Sequence, residues 1–273
     1  MAEQQLAKTE NELTPLAKLT MDLNSKNWQG FIRKNITNNP MTFVNNILNI
    51  AKQNELLTKC KVDSIVFSAM KATSLNLPLD NQLGFAYVLP YKDVAQFQIG
   101  YKGFVQLAIR SGQFKTINAT EVCDGEIKCI NKFTGEFEFG EKKSDKVVGY
   151  MAYFKLLTGF EKYFYMSVEE MQKHAKTYSM MMKYGKGLWA NEDTFGAMAK
   201  KTCLKLLLSK YAPLSIEMQK AIEFDQRVYD TEDGRFADNP QNQSTADKVD
   251  EFVEAEIVEK KEEQEQSKQG TLL

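Results

Sequence analysis

Histidine is nearly absent from this chain of 273 residues, His174 being the only one. Catalysis by a histidine pair, by a Ser-His-Asp set or by a multi-histidine metal centre is thereby excluded. Cysteine is scarce too: Cys60, Cys123, Cys129 and Cys203 stand at no metal-binding spacing and read as small apolar residues. No apolar run approaches the roughly 18 residues of a membrane helix. The polar start MAEQQLAKTENEL lacks the charged-then-apolar profile of a signal peptide, so a cytoplasmic protein without a membrane partner is expected. There is no G-x-x-x-x-G-K-[ST] run; SGQFKT and YGKGLW come nearest, and neither has the spacing that lets backbone amides cradle phosphates. ATP hydrolysis is therefore not expected, and no cofactor is called for.

What the chain does have is charge, unevenly placed. The formal net charge is −1, but residues 225–273 hold 14 acids against 6 bases, leaving residues 1–224 at net +7. A basic body with an acidic tail points toward nucleic acid, the tail serving as interaction arm or competitor, although a solvated surface would carry the same charge. Composition divides the chain into a mobile N-terminal segment (1–25), a core (26–224) and an acidic, disordered tail (225–273).

Within the core, NWQGFIRKNI and PMTFVNNILNIAKQN predict two helices, the second opened by Pro40. VDSIVFSAMKATSLNL predicts a third, with Asp63 or Ser64 as N-cap. LGFAYVLPY and VAQFQIGY then read as a hairpin joined by KD, with Ala95, Phe97, Ile99 and Tyr101 on one face. The helix GFVQLAIRSG stops at Gly112, and strands follow near 115–123, 126–131, 135–140, 146–157 and 161–166. Ser167 and Glu170 form a capping box for SVEEMQKHAKTY. SMMMKYGKGLW reads as a loop, DTFGAMAKKTCLKLLLSKY as a long helix, and SIEMQKAIEFD as a last one after Pro213. The expected class is α+β: an antiparallel sheet and hairpin core with N-terminal helices, an inserted central helix and C-terminal helices.

Two rows carry the chemistry. At about 100° per residue, Phe104, Leu107 and Ala108 share an apolar face while Lys102, Gln106, Arg110 and Gln113 share the opposite one. Two cations and two amides in one exposed row can bond phosphate oxygens along a strand. Phe97 and Tyr101 are placed either to stack on bases or to pack in the core. The second row lies in residues 171–210, whose eight lysines face only Glu192 and Asp193. On the long helix Lys201 and Lys205 are one turn apart, with Lys200 beside them, and their mutual repulsion goes uncompensated without a polyanion. Lys183 and Lys186, beside Tyr184 and Trp189, add cations to the loop; loop docking by the tryptophan is the alternative to stacking. The run DGEIK, with Asp124, Glu126 and Lys128, faintly suggests a metal-dependent nuclease, but a hairpin turn at Asp124-Gly125 explains it as well.

LGFAYVLPY, FQIGYKGFVQLAIRSGQFK, VVGYMAYFKLLTGFEKYFY and AMAKKTCLKLLLSKYAPLSIEMQKAI, in this order over about residues 40–224, resemble the successive motifs of the RecT family of phage single-strand annealing proteins. The resemblance implies an ATP-independent recombinase that binds single-stranded DNA, passes through an annealed duplex intermediate and assembles with itself as a ring or helical filament. It also implies a phage exonuclease as partner and contacts of the C-terminal region with a host single-strand-binding protein. The family's basic and polar positions fall on Tyr101, Lys102, Gln106, Arg110, Gln113, Lys200, Lys201 and Lys205. The acidic tail matches no motif of the family.

On this reading, removing the acidic tail should leave annealing of bare strands largely intact and impair action on strands coated by the host protein. Equal loss in both assays would place the tail in the fold.

Overall fold

The computed structural model describes residues 13–37, 39–131, 133–179, 182, 184–229 and 236–238. In chain order the elements are α1 (Pro15–Asn24), α2 (Lys26–Asn35), α3 (Pro40–Gln53), a 3-10 turn (Leu57–Lys59), α4 (Val62–Ser74), β1 (Ala86–Tyr91), β2 (Val94–Ile99) and α5 (Tyr101–Arg110). They continue as β3 (Phe114–Cys123), β4 (Ile127–Ile130), β5 (Phe137–Phe139), β6 (Val147–Leu156), β7 (Glu161–Ser167), α6 (Val168–Tyr178), α7 (Glu192–Tyr211), α8 (Ile216–Gln226), β8 (Arg227–Tyr229) and β9 (Phe236–Asp238). The fold is α+β, with β6 central in a three-stranded sheet and β1–β2, β4–β5 and β8–β9 as two-stranded pairs. Among the described residues no helix is long and apolar enough to cross a membrane.

The chain forms two compact units. One comprises the described residues up to Asn118 with Tyr153–Glu161 and Pro213–Ala237; the other comprises Ala119–Ala152 and Lys162–Ala212.

In the first unit, α1 to α4 bury leucines, isoleucines and valines in one cluster that also takes Val88 and Ala95 from the hairpin. The hairpin is antiparallel, with Val88 opposite Phe97 and Pro90 opposite Ala95. Ala95 turns its backbone away from β1: its N–H donates to Ser64 Oγ (2.9 Å) and its carbonyl accepts from Ser68 Oγ (3.0 Å). Pro90 faces it in a pair that exchanges no ladder bond, which is why a residue without an N–H is accepted there. Ser64 and Ser68 are fully buried, so these hydroxyls take the place of a third strand.

Several expectations are corrected. The segment read as mobile up to residue 25 contains α1, capped by Thr14, started by Pro15 and docked through buried Leu19 and Leu23. Each such leucine contributes roughly 1.5–3 kcal/mol on burial and ties α1 to the core. Neither Asp63 nor Ser64 is the N-cap of α4; that place is taken by Lys61, and the Ser64 hydroxyl donates to Lys61 O (2.7 Å) while accepting from β2. Tyr101 is the first residue of α5 and not the last of the strand. The boundary at 224 also falls too early: α8, with Ser215 Oγ accepting from Met218 N, runs to Gln226, and Asp225 Oδ1 accepts from Ile99 N at 3.0 Å. The rest of the acidic tail, apart from 227–229 and 236–238, lies outside the described residues.

In the second unit, α6 starts at the expected capping box, with Ser167 Oγ accepting from Glu170 N (3.1 Å) and Glu170 Oε2 from Ser167 N (2.7 Å). The turn after β3 is the hairpin reading of DGEIK: Gly125 has φ +87°, and Glu126 Oε2 accepts from Cys123 N (2.6 Å). Lys128 pairs with Glu138 across β4–β5 (3.3 Å). Burial of α7 is nearly continuous from Cys203 to Leu208, interrupted only by Lys205.

Replacing Asp225 by Ala should orphan the Ile99 N–H and destabilise the protein by about 1–3 kcal/mol. Calorimetry reads this loss as a lowered thermal midpoint. An unchanged midpoint for Asp225→Ala would contradict the role given to this bond.

Candidate nucleic-acid interface

The first candidate row is positioned by glycines. At the N-cap of α5, Gly100 donates its N–H to Phe85 O (2.9 Å). A Cβ on Gly100 would run into Gly84 O, and one on Gly103 into Phe85 O, so the first turn of α5 lies directly on the backbone before β1. With Phe104, Leu107 and Ala108 buried, Lys102 and Gln113 are exposed and Gln106 is half-buried.

Arg110 behaves differently from the rest of its row. Its guanidinium donates to Leu75 O (2.6 Å) and Asn76 O (3.3 Å) and lies 3.5 Å from Glu217. It neutralises the carbonyl end of α4, where a cation is favoured by the helix dipole. Phe97 is corrected from candidate stacking ring to core residue: it is 2% exposed and meets Phe224 edge-to-face with ring centroids 6.4 Å apart. Tyr101 remains half-buried. One residue not singled out from the sequence is Ile109, 57% exposed on the same face as Lys102, Gln106 and Gln113. Its position at about 100° per residue, seven places after Lys102, was the signal available.

The second row is built on α6 and α7. Lys200, Lys201 and Lys205 are all half-buried. Lys200 reaches Glu121 on β3 at 3.1 Å, while Cys203, one turn on, donates to Tyr150 O (3.5 Å). Burial and the nearby Lys205 charge push His174 down to about 4 from its ordinary 6.5, so the imidazole is neutral near pH 7 and adds no charge to the lysines. Its ring packs on Tyr178 at 4.5 Å. In the loop before α7, Trp189 docks on Phe195 (5.5 Å) and Phe195 on Tyr150 (5.9 Å), while Tyr184 and Lys186 are exposed. Lys183 lies outside the described residues.

The thiols match a structural role at two positions: burial pushes Cys60 up to about 11 and Cys203 up to about 12, while Cys129 is exposed. Among the described residues no group of three or more His, Cys, Asp or Glu side chains is placed to hold a metal ion.

The sequence profile of the RecT family matches residues 41–245. The chain belongs to the RecT family. It is 44% identical over 182 residues to the uncharacterized protein YqaK of Bacillus subtilis (strain 168), a match covering 66% of this chain and 62% of YqaK. It is 30% identical over 188 residues to the protein RecT of Escherichia coli (strain K12), covering 63% of this chain and 65% of that protein. The chain thus spans less than two thirds of the length of these curated relatives.

In this RecT-family chain both rows, α5 with Gln113 and α7, fall inside the matched region. Arg110 is held by Glu217 and Lys200 by Glu121, each an acid of the cation's own unit.

The single histidine permits a clean pH test. A folded-state value depressed from 6.5 to about 4 means that the unfolded chain binds more protons between those limits. The stability due to neutral His174 is complete above pH 6.5 and is lost as pH falls toward 4. Between these limits, down to about pH 5, the urea unfolding free energy should drop by roughly 1–2 kcal/mol. His174→Gln should flatten that limb; an equally steep limb in the variant would contradict the assignment.

Proposed function

We propose that this protein binds single-stranded DNA through phosphate contacts and anneals it to a complementary strand, without ATP, as an oligomeric ring or helical filament in phage homologous recombination. The observation that carries this reading is the segment 171–210, from beyond the acidic first turn of α6 through α7, where eight lysines meet two acids in a RecT-family chain. Supporting it, the related Escherichia coli protein bears the name RecT.

Annealing demands affinity for the backbone without readout of base edges, so that the bases stay free to pair. Lysines answer this requirement as compact charges on long stems that follow a phosphate without fixing its geometry. In the proposal Lys201, Lys205, Lys186 and Lys183 neutralise phosphates, and Lys200 exchanges Glu121 for one when a strand arrives. Lys102, Gln106 and Gln113 hold the backbone along α5, and Arg110, anchored to the end of α4, keeps that helix in place while adding positive potential. Tyr101 stacks beside them. Substrates are single strands and the annealed duplex intermediate; partners are further copies of the chain, a phage exonuclease, and a host single-strand-binding protein reached through the C-terminal region. No catalytic residue, cofactor or membrane enters the scheme, and the cytoplasm of the bacterial host is the place of action.

Each phosphate contact on single-stranded DNA contributes about 0.7 to the slope of log affinity against log salt. Lys201→Ala with Lys205→Ala should therefore flatten the slope by about 1.4 and weaken binding about tenfold at moderate salt. The doubly Arg-substituted protein should retain most of the affinity. Unchanged slope and affinity in the Ala variant would remove α7 from the interface, and shortening of labelled strands in the presence of divalent metal would replace annealing by nuclease action.

A further inference from the structure

We infer that the exposed arc of α2, in the first unit and outside both rows described above, is an additional contact surface for single-stranded DNA. The inference rests on the reading that the protein binds such strands, and it assigns a new site to that activity.

From Leu23 to Asn54 the chain holds no acid in 32 residues, while Lys26, Arg33, Lys34 and Lys52 supply four cations. All four are exposed, and none forms an ion pair among the described residues. At about 100° per residue, Lys26, Gly30, Arg33 and Lys34 share one arc of α2 roughly 100° wide, opposite buried Ile32. An ordinary solvated helix intersperses acids at i+3 or i+4 from its bases, and this one does not.

Gly30 stands at the centre of the arc. It is an interior helical residue, exposed, with nothing within 4 Å of where a Cβ would lie. The fold therefore gives no reason for glycine, although glycine is the poorest helix former apart from proline. A bare backbone flanked by unpaired cations lets a phosphate or sugar come close to the helix axis.

Two further features fit the same occupant. On α3, Asn45, Asn46 and Asn49 are exposed where Glu, Gln or Lys would make a more stable helix, and amides that both donate and accept suit sugars, phosphates and base edges. Phe31, about 60° beyond Lys34 around α2, packs half-buried against the core and is held edge-to-face by Trp28 (5.6 Å) and Phe67 (5.7 Å), so the part of its ring left exposed is fixed for a base to stack on. A second copy of the chain meeting this surface through the same arc would bring unpaired cations against cations, so a polyanion is the better complement.

Gly30→Ala separates fold from binding. The substitution should raise the thermal midpoint by about 2–4 °C, since Ala is the better helix former and the space is open. It should at the same time weaken binding of oligo-dT severalfold. Arg33→Ala with Lys34→Ala should flatten the salt slope for oligo-dT by about 1.4, with particle size in sedimentation unchanged. A stabilised Gly30→Ala variant with wild-type affinity, together with an unaltered slope in the double variant, would overturn the inference and return the arc to solvent. Loss of particle size with an unaltered slope would overturn it in favour of a contact between copies. Failure of the wild-type chain to bind oligo-dT would overturn the underlying reading, and is seen before any variant is made.

Discussion

The outer edge of β2 is the constraint on which the first unit depends. A two-stranded hairpin leaves a row of N–H and C=O groups unpaired, and these must be satisfied if the strand is to be buried. Here Ser64 and Ser68 of α4 bond both backbone groups of Ala95, and Asp225 of α8 bonds the N–H of Ile99. Helices from residues 62–74 and 216–226 are thereby fixed to one strand. Because α5 begins two residues after Ile99, with Gly100 and Gly103 against Gly84 and Phe85, the same strand decides which way Lys102, Gln106 and Gln113 point. The candidate phosphate row is a consequence of how a sheet edge is closed.

Charge that is counted in a sequence differs from charge that a ligand meets. Arg110 caps α4 and faces Glu217, and Lys200 reaches Glu121, so each is spent partly inside its own unit. Partly exposed pairs of this kind contribute little to stability. The Arg110 interactions with Leu75 O and Asn76 O are of a different sort, since losing them would leave helix-terminal carbonyls without a donor. Lys201 and Lys205 rise from a helix that is otherwise buried from Cys203 to Leu208, beside an imidazole held neutral. His174 thus adds no titrating group near pH 7 beside these lysines.

Local pattern made most of the fold legible. Period-3.6 spacing located α3, α4 and α5, caps and chain breaks located α6 to α8, and alternation together with turn residues located the hairpin and the later strands. The capping box at Ser167 and the turn at Gly125 followed from residue chemistry alone. α1 was missed although Thr14, Pro15 and the leucines at 16, 19 and 23 form a complete helix signal, diluted by the polar residues around it. Exposure of Lys102 and Gln113 was readable from the helical period. The roles of Arg110, Lys200 and Phe97 were not, since each is settled by a partner distant in the chain: Leu75, Glu121 and Phe224. Ser64, a plausible cap by local rules, is used by a strand 31 residues away.

The central claim is that phosphate binding by this RecT-family chain brings complementary strands together with no nucleotide chemistry. It is tested most directly by mixing complementary labelled oligonucleotides with the purified protein in the absence of any nucleotide, following duplex formation by fluorescence and particle size by light scattering. The account predicts annealing well above the protein-free rate, with strands of unchanged length on large particles. Annealing that appears only when ATP is added, or duplex formation no faster than in buffer, would contradict it.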